Sequence, residues 1–162
     1  MGRFIPSGVA QVTFLTSAPT LSAPTQTQIS AGTDLTSPSM SQDFESMKQM
    51  DGWEAASQSA PVPDVSSKFD KTVPGRQSAG TPTITMYKDD ASDTIRTALA
   101  EGTNGYIVIM PAGQGSGKQA DIYPVRVASS NDSQINAENE AMTYVVGFDI
   151  TAAPTRNVDQ AA

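Results

Sequence analysis

The sequence predicts an α+β domain, mainly antiparallel β. Three observations predict it. Segments of strand character follow one another with short links from Gly105 to Ile150, after an alternating stretch at Pro82–Lys88. One amphipathic segment, about residues 90–101, stands between them as a helix. The chain of 162 residues fits a single domain, 1–162.

Val9 to Leu15 reads as the first strand, rich in β-branched and aromatic residues. Thr16 to Ser41 is packed with Ser, Thr and Pro. Pro19, Pro24 and Pro38 forbid a helix there and disfavour a central strand. Gln26 to Ala31 is expected as a short extended piece, with Gly32 permitting the bend. The composition of this stretch equally suits disorder. Phe44, Met47 and Met50 are spaced i, i+3, i+6, which predicts a short amphipathic helix or a folded loop ended by Gly52. Residues 54–81 read as loop. A loop of that length signals function or order acquired on binding.

The second half is more regular. Ile84 and Met86 share one face of a strand, with Thr83, Thr85 and Tyr87 on the other. Asp90 is the expected helix N-cap, with Asp93 favouring the positive end of the dipole. Ile95, Ala98 and Leu99 form the apolar stripe and Gly102 ends it. Gly105–Met110 predicts a strand buried on both faces. Asp121–Val127 predicts an edge or bulged strand, because Pro124 lacks an N–H. In the last strand, Met142–Ile150, the residues Tyr144, Val146, Phe148 and Ile150 oppose Thr143, Val145, Gly147 and Asp149.

Composition excludes several kinds of chemistry. The chain has no His and no Cys. That removes imidazole bases and ligands, thiol nucleophiles, disulfides and zinc-finger sites. With 10 Lys+Arg against 17 Asp+Glu, the net charge of -7 argues against a protein that grips phosphates. No apolar run approaches the ~20 residues that span a bilayer, so no membrane anchor is expected.

The motifs that invite a function have plainer readings. Gly113-Gln-Gly-Ser-Gly-Lys118 follows a strand as a phosphate loop does. However, Ala112 stands where the first Gly belongs, Gln119 where the hydroxyl belongs, and a strand follows instead of a helix. A flexible hairpin tip is the better reading. Asp89, Asp90 and Asp93 are explained by capping, and Glu138 and Glu140 by a solvated turn. Neither group resembles a calcium loop. Asn131-Asp132-Ser133 fits a glycosylation triplet of the kind that arises by chance. Met47, Met50 and Trp53 read either as a local cluster or as a partner-binding patch.

Several segments together resemble a known family. They are Thr83-Ile-Thr-Met-Tyr-Lys-Asp-Asp-Ala91, Gly105-Tyr-Ile-Val-Ile109, Asp121-Ile-Tyr-Pro-Val-Arg-Val127, Asn139-Glu-Ala141, Phe148-Asp-Ile-Thr-Ala-Ala-Pro154 and Asn157-Val158. Ala23-Pro24-Thr25, Ala31-Gly-Thr-Asp-Leu-Thr36, Gly52-Trp53 and Val73-Pro-Gly75 add to them. In order and spacing this is similar to the major tail tube proteins of long-tailed bacteriophages. The likeness is weakest from Asp51 to Ser78.

The resemblance implies a β-sandwich-like fold with one flanking helix, whose sheets join between subunits into a continuous barrel. It implies an N-terminal arm at 1–8, a long inter-strand loop at about 34–82 and a C-terminal arm at 152–162. It implies stacked, hexameric rings forming a virion tube, made in the bacterial host cytoplasm. The implied partners are further copies of the chain, a tape measure protein in the lumen, and terminator and distal tail proteins at the ends. DNA would pass without specific binding during genome ejection. No enzymatic activity and no cofactor are implied. Excess acid suits such a passage, because cation–phosphate contacts would retard it, and the expectation is that this charge concentrates on the bore. Phe44, Met47, Met50, Trp53 and Phe69 are the candidates for contacts between rings. Thr143, Val145, Gly147 and Asp149, the less bulky face of the last strand, are the candidates for the lumen.

Two other classes compete. A β-sandwich module binding carbohydrate or a host surface would need an aromatic-lined concave site, and only 6% of this chain is aromatic, with a single Trp. A metal-dependent hydrolase would need a ligand cluster that the spacing of Asp and Glu does not supply.

Overall fold

The computed structural model describes residues 9–36, 46–63, 65–66, 68–69, 71–89, 93–133 and 140–162. In chain order the elements are β1 (Gln11–Leu15), α1 (Gln26–Ser30), β2 (Thr33–Asp34), β3 (Met47–Asp51), β4 (Ala55–Val62), β5 (Lys71–Ala79), β6 (Thr83–Tyr87), α2 (Thr94–Ala98), β7 (Asn104–Met110), β8 (Gln119–Asp132), β9 (Thr143–Ile150) and β10 (Thr155–Asp159). Eight strands form one antiparallel sheet in the order β2-β1-β7-β8-β9-β6-β3, with β10 also paired to β8. β4 and β5 form a separate two-stranded sheet. The mainly antiparallel α+β class is what the alternation predicted, and the sandwich-like form is what the resemblance implied.

The large sheet folds over on itself. Leu35, just after β2, accepts the Met47 N–H at 2.9 Å, so the two ends of the strand order meet. The enclosed face holds the main core: Val12 and Phe14 from β1, Ile84 and Met86 from β6, Tyr123, Val125 and Val127 from β8, and Tyr144, Val146 and Phe148 from β9. Ile95 and Leu99 close it from α2. The alternation in β6 and β9 therefore sorts apolar side chains inward as expected, with Ile84, Met86, Tyr144 and Val146 fully buried. A second cluster, Leu15, Val108, Met110, Ala120 and Ile122, lies on the opposite face and is covered by Ile29 of α1 and by Val158 of β10. Strand β7 contributes to both clusters, which explains its nearly continuous apolar run.

Several local expectations change. Gln26–Ser30 is a helix, not an extended piece. Thr25 and Gln28 form a capping box: the Thr25 hydroxyl accepts the Gln28 N–H at 3.2 Å, and the Gln28 side chain accepts the Thr25 N–H at 3.1 Å. Met47 to Asp51 is a strand, not a helix. A register shift after Met47 inserts one residue, so Met47 and Met50 turn toward the same face although three apart. The helix expected at about 90–101 spans only Thr94–Ala98. Asp93 is its N-cap and makes no side-chain cap bond, while Asp90 lies outside the described residues.

β8 is not an edge strand. It pairs with β7 throughout its middle, and on its other side with β10 up to Ile122 and with β9 from Val125. Pro124 sits where the second partner changes. The bulge expected in this strand falls later, between Val127 and Ser129. The segment expected as a loop over 34–82 holds β3 and the β4–β5 hairpin, and 152–162 contains β10. The N-terminal arm lies outside the described residues.

Candidate assembly interface

The β4–β5 hairpin is the feature the core does not explain. From Ala56 to Ala79, every described residue is exposed. Two strands alone are marginal in water, because a single ladder buries too little to offset its ordering entropy. A hairpin exposed on both faces therefore gains little from packing within its own subunit. Its register pairs Ala60 with Val73 and Val62 with Lys71, so Ala60, Val62, Lys71 and Val73 share one face. Ser59, Pro61, Thr72 and Pro74 share the other. The first face carries Val62 and Val73 beside Lys71, and the tip adds two more exposed apolar side chains. Val62 is 44% exposed, Val73 46%, Phe69 74%, and Val65 entirely so. Pro61 and Pro74 remove N–H groups from the two edges, which discourages strand addition along them. At the register shift, Gly75 passes close to the other strand: a Cβ there would lie 2.5 Å from the Gln58 carbonyl oxygen.

The root of the hairpin is tied to the core. Gly52 adopts a positive φ of 76°, which turns the chain out of β3. Trp53 then enters the core at 8% exposure. Its ring packs against Tyr123 and Phe148, with centroids 5.2 and 5.5 Å away, and its Nε1–H donates to the Thr83 carbonyl at 3.1 Å. Trp53 is thus a buried anchor of its own subunit and offers no exposed ring to a partner. Met47 and Met50 are half-buried against the same core. Of the five residues expected between rings, only Phe69 is exposed among those described, and Phe44 lies outside them.

The four residues expected in the lumen share the outer face of β9. Thr143 is buried, with its hydroxyl 2.7 Å from that of Ser133; Val145 and Gly147 are half-buried and Asp149 is exposed. Across the sheet they pair with Tyr87, Thr85 and Thr83 on β6, and with Arg126, Ser129 and Asn131 on β8. This face is rich in hydroxyls. Its charges balance among the described residues: Lys48 and Arg126 stand against Asp51 and Asp149. The acid excess of the chain therefore does not gather on this particular face. Asn131 of the glycosylation triplet lies in the ladder opposite Val145.

The glycine loop is pinned, not flexible. Gln160, 2% exposed, fills it. The Gln160 carbonyl accepts the Gly117 N–H at 2.9 Å and its side-chain oxygen accepts the Gly115 N–H at 3.0 Å; its amide nitrogen donates to the Gly113 carbonyl at 3.2 Å. Lys118 donates its ammonium to the Gln114 carbonyl within the loop. The N–H groups that would cradle a phosphate are spent on the chain itself. Gln160 was not legible as a key residue: nothing in a polar C-terminal segment marks one glutamine as buried. No cluster of metal-ligating side chains occurs among the described residues. A shallow, open depression is lined by Gln26, Thr27, Ser30, Ala31 and Gln114, and has no aromatic wall of the kind that binds sugars.

The described residues form a rolled antiparallel sheet around a buried core, with an exposed hairpin that joins neither core cluster. In the family comparison, the model for "Phage tail tube protein" matches residues 1–162, and the chain belongs to that family. It is a structural family, and membership places the chain in the virion tail. A search of curated proteins gives no match. Among the described residues, no helix is long and apolar enough to cross a membrane.

Proposed function

We propose that this chain polymerises as stacked, hexameric rings to build the bore through which the phage genome is ejected, and that it carries no enzymatic activity. The observation that carries the reading is the β4–β5 hairpin. It adds no residue to either core cluster, yet it presents Val62, Val65, Phe69 and Val73 to solvent. Such exposed apolar side chains stabilise an assembly, not a monomer. On this reading the hairpin crosses from one ring to the next. Phe69 contacts the neighbour directly, together with Val62, Val65 and Val73, while Trp53, Met47 and Met50 set the angle at which the hairpin leaves the subunit. The outer face of β9, with Thr143, Val145, Gly147 and Asp149, lines the lumen. Few unpaired cations there would favour sliding of DNA over binding. On this reading tape measure, terminator and distal tail proteins are the further partners.

Negative-stain microscopy of the purified protein tests this. Concentrated protein is expected to form rings or tubes. A variant with Ala56–Ser78 replaced by an Asn-Gly turn is expected to stay a folded monomer. A wild-type chain that remains monomeric at high concentration, or a hairpinless chain that forms tubes of normal length, would overturn the proposal.

A further inference from the structure

We propose that α1 and the strap formed by β10 and residues 160–161 are two leaves of one cover, latched by the 113–118 loop, that opens as a unit over the outer apolar cluster. Beneath it lie Leu15, Val108, Met110, Ala120 and Ile122. Each leaf is weak alone. α1 has five residues and buries one side chain, Ile29. A helix that short does not hold itself in water. β10 finds three partners on β8, and the ladder is interrupted where Asn157 takes a positive φ of 53°. Val158 is its half-buried apolar contact with the cluster. Little buried apolar area and a reliance on polar bonds mark the part of a fold that opens first.

Hydrogen bonds join the two leaves in a ring through the loop. The Gln114 side-chain amide donates to the Gln26 carbonyl and to the Ser30 hydroxyl of α1, each at 2.9 Å. Gln160 holds the other side of the loop through Gly113, Gly115 and Gly117, and its own N–H donates to the Lys118 carbonyl at 2.9 Å. The Ala161 N–H then donates to the Pro24 carbonyl at 3.0 Å, one residue before the Thr25 cap of α1. In such a ring each contact lowers the ordering entropy that the next must offset, so a leaf that lifts weakens the hold on the other. Opening uncovers two things in one step. One is the outer apolar face; the other is the β8 edge at 119–122, whose partner on that side is β10. An apolar face beside a free strand edge is a surface to which further strands add. The latch therefore sets how often the subunit presents it.

Native-state hydrogen exchange of the unassembled protein tests this. Gln114→Ala removes the bonds to α1, and Gln160→Ala removes side-chain bonds on the strap side of the loop. Gln114→Ala is expected to speed exchange of the Gln160 amide about tenfold, and Gln160→Ala to speed that of the Ile29 and Ala31 amides by a similar factor. Amides in the middle of β7 stay far better protected than these in both variants. Acceleration confined to the leaf whose bonds were removed would overturn the proposal, because coupling between two leaves is reciprocal. If either variant fails to fold, the wild-type protein in sub-denaturing urea decides. There the Ile29, Ala31 and Gln160 amides are expected to share one urea slope, smaller than that of the middle of β7. Different slopes for α1 and the strap, or protection equal to that of β7, would overturn the single cover.

Discussion

The indole of Trp53 stands edge-on to the phenol ring of Tyr123, with an interplanar angle of 81° and centroids 5.2 Å apart. This pair couples the base of the exposed hairpin to the buried centre of the subunit. Quadrupole geometry favours such edge contacts, worth about 0.5–1.5 kcal/mol beyond the area they bury. The anchor therefore belongs to folding as much as to assembly.

Trp53→Ala is expected to destabilise the monomer itself by about 3–5 kcal/mol, because it empties a core site and leaves the Thr83 carbonyl without its donor. Urea unfolding of the unassembled protein measures this. A change below about 1 kcal/mol would show that the ring does not support the core.

Tyr123 gives a pH signature. Burial pushes its phenol above the ordinary value of 10.0; Asp121 nearby pushes the same way, and the Arg156 guanidinium over the ring opposes. The folded state thus holds the proton more tightly than the unfolded chain. The resulting stability is complete below pH 10 and is lost as pH rises from there through the folded-state value. Unfolding midpoints measured from pH 9 to 11 are expected to fall more steeply for wild type than for Tyr123→Phe. Parallel curves would refute it.

Gln160→Ala leaves the Gly115 N–H and the Gly113 carbonyl without their partners. The expected cost is about 1–3 kcal/mol. Hydrogen exchange at Gly115 should accelerate strongly, while amides in the middle of β7 stay protected. Unchanged exchange at Gly115 would mean that the loop holds itself.

Val62→Ser combined with Val73→Ser alters one face of the hairpin without touching either core cluster. Monomer stability is expected to stay within about 0.5 kcal/mol of wild type, as for exposed sites generally. Tube formation should require a much higher protein concentration. Light scattering across a concentration series reads both outcomes, and assembly at the wild-type threshold would count against the hairpin as the joint.

What was legible in the sequence follows from where burial is one-sided. In β6 and β9, alternation between core and surface writes the register directly into residue type, so Ile84, Met86, Tyr144, Val146 and Phe148 were assignable inward. The β4–β5 hairpin was read as loop because both of its faces meet solvent, and no alternation is needed there. β3 mimicked a helix because an inserted residue places Met47 and Met50 on one face at a spacing of three. α1 carried a readable signal, the Thr25–Gln28 capping box, but the surrounding prolines outweighed it.

The sequence by itself determined the class of the protein: mainly antiparallel β, no imidazole or thiol chemistry, an acidic chain, and the order of segments shared with tail tube proteins. These depend on composition and on local period, which folding does not alter. The tertiary structure decided which residues remain available to a partner. Trp53 and Gln160 are large or polar side chains in Gly-, Ser- and Ala-rich surroundings, and only the chain's return past Tyr123 and past Gly115 buries them. Exposure is set by contacts between residues far apart in sequence, so Trp53 is buried while the hairpin beyond it stays exposed.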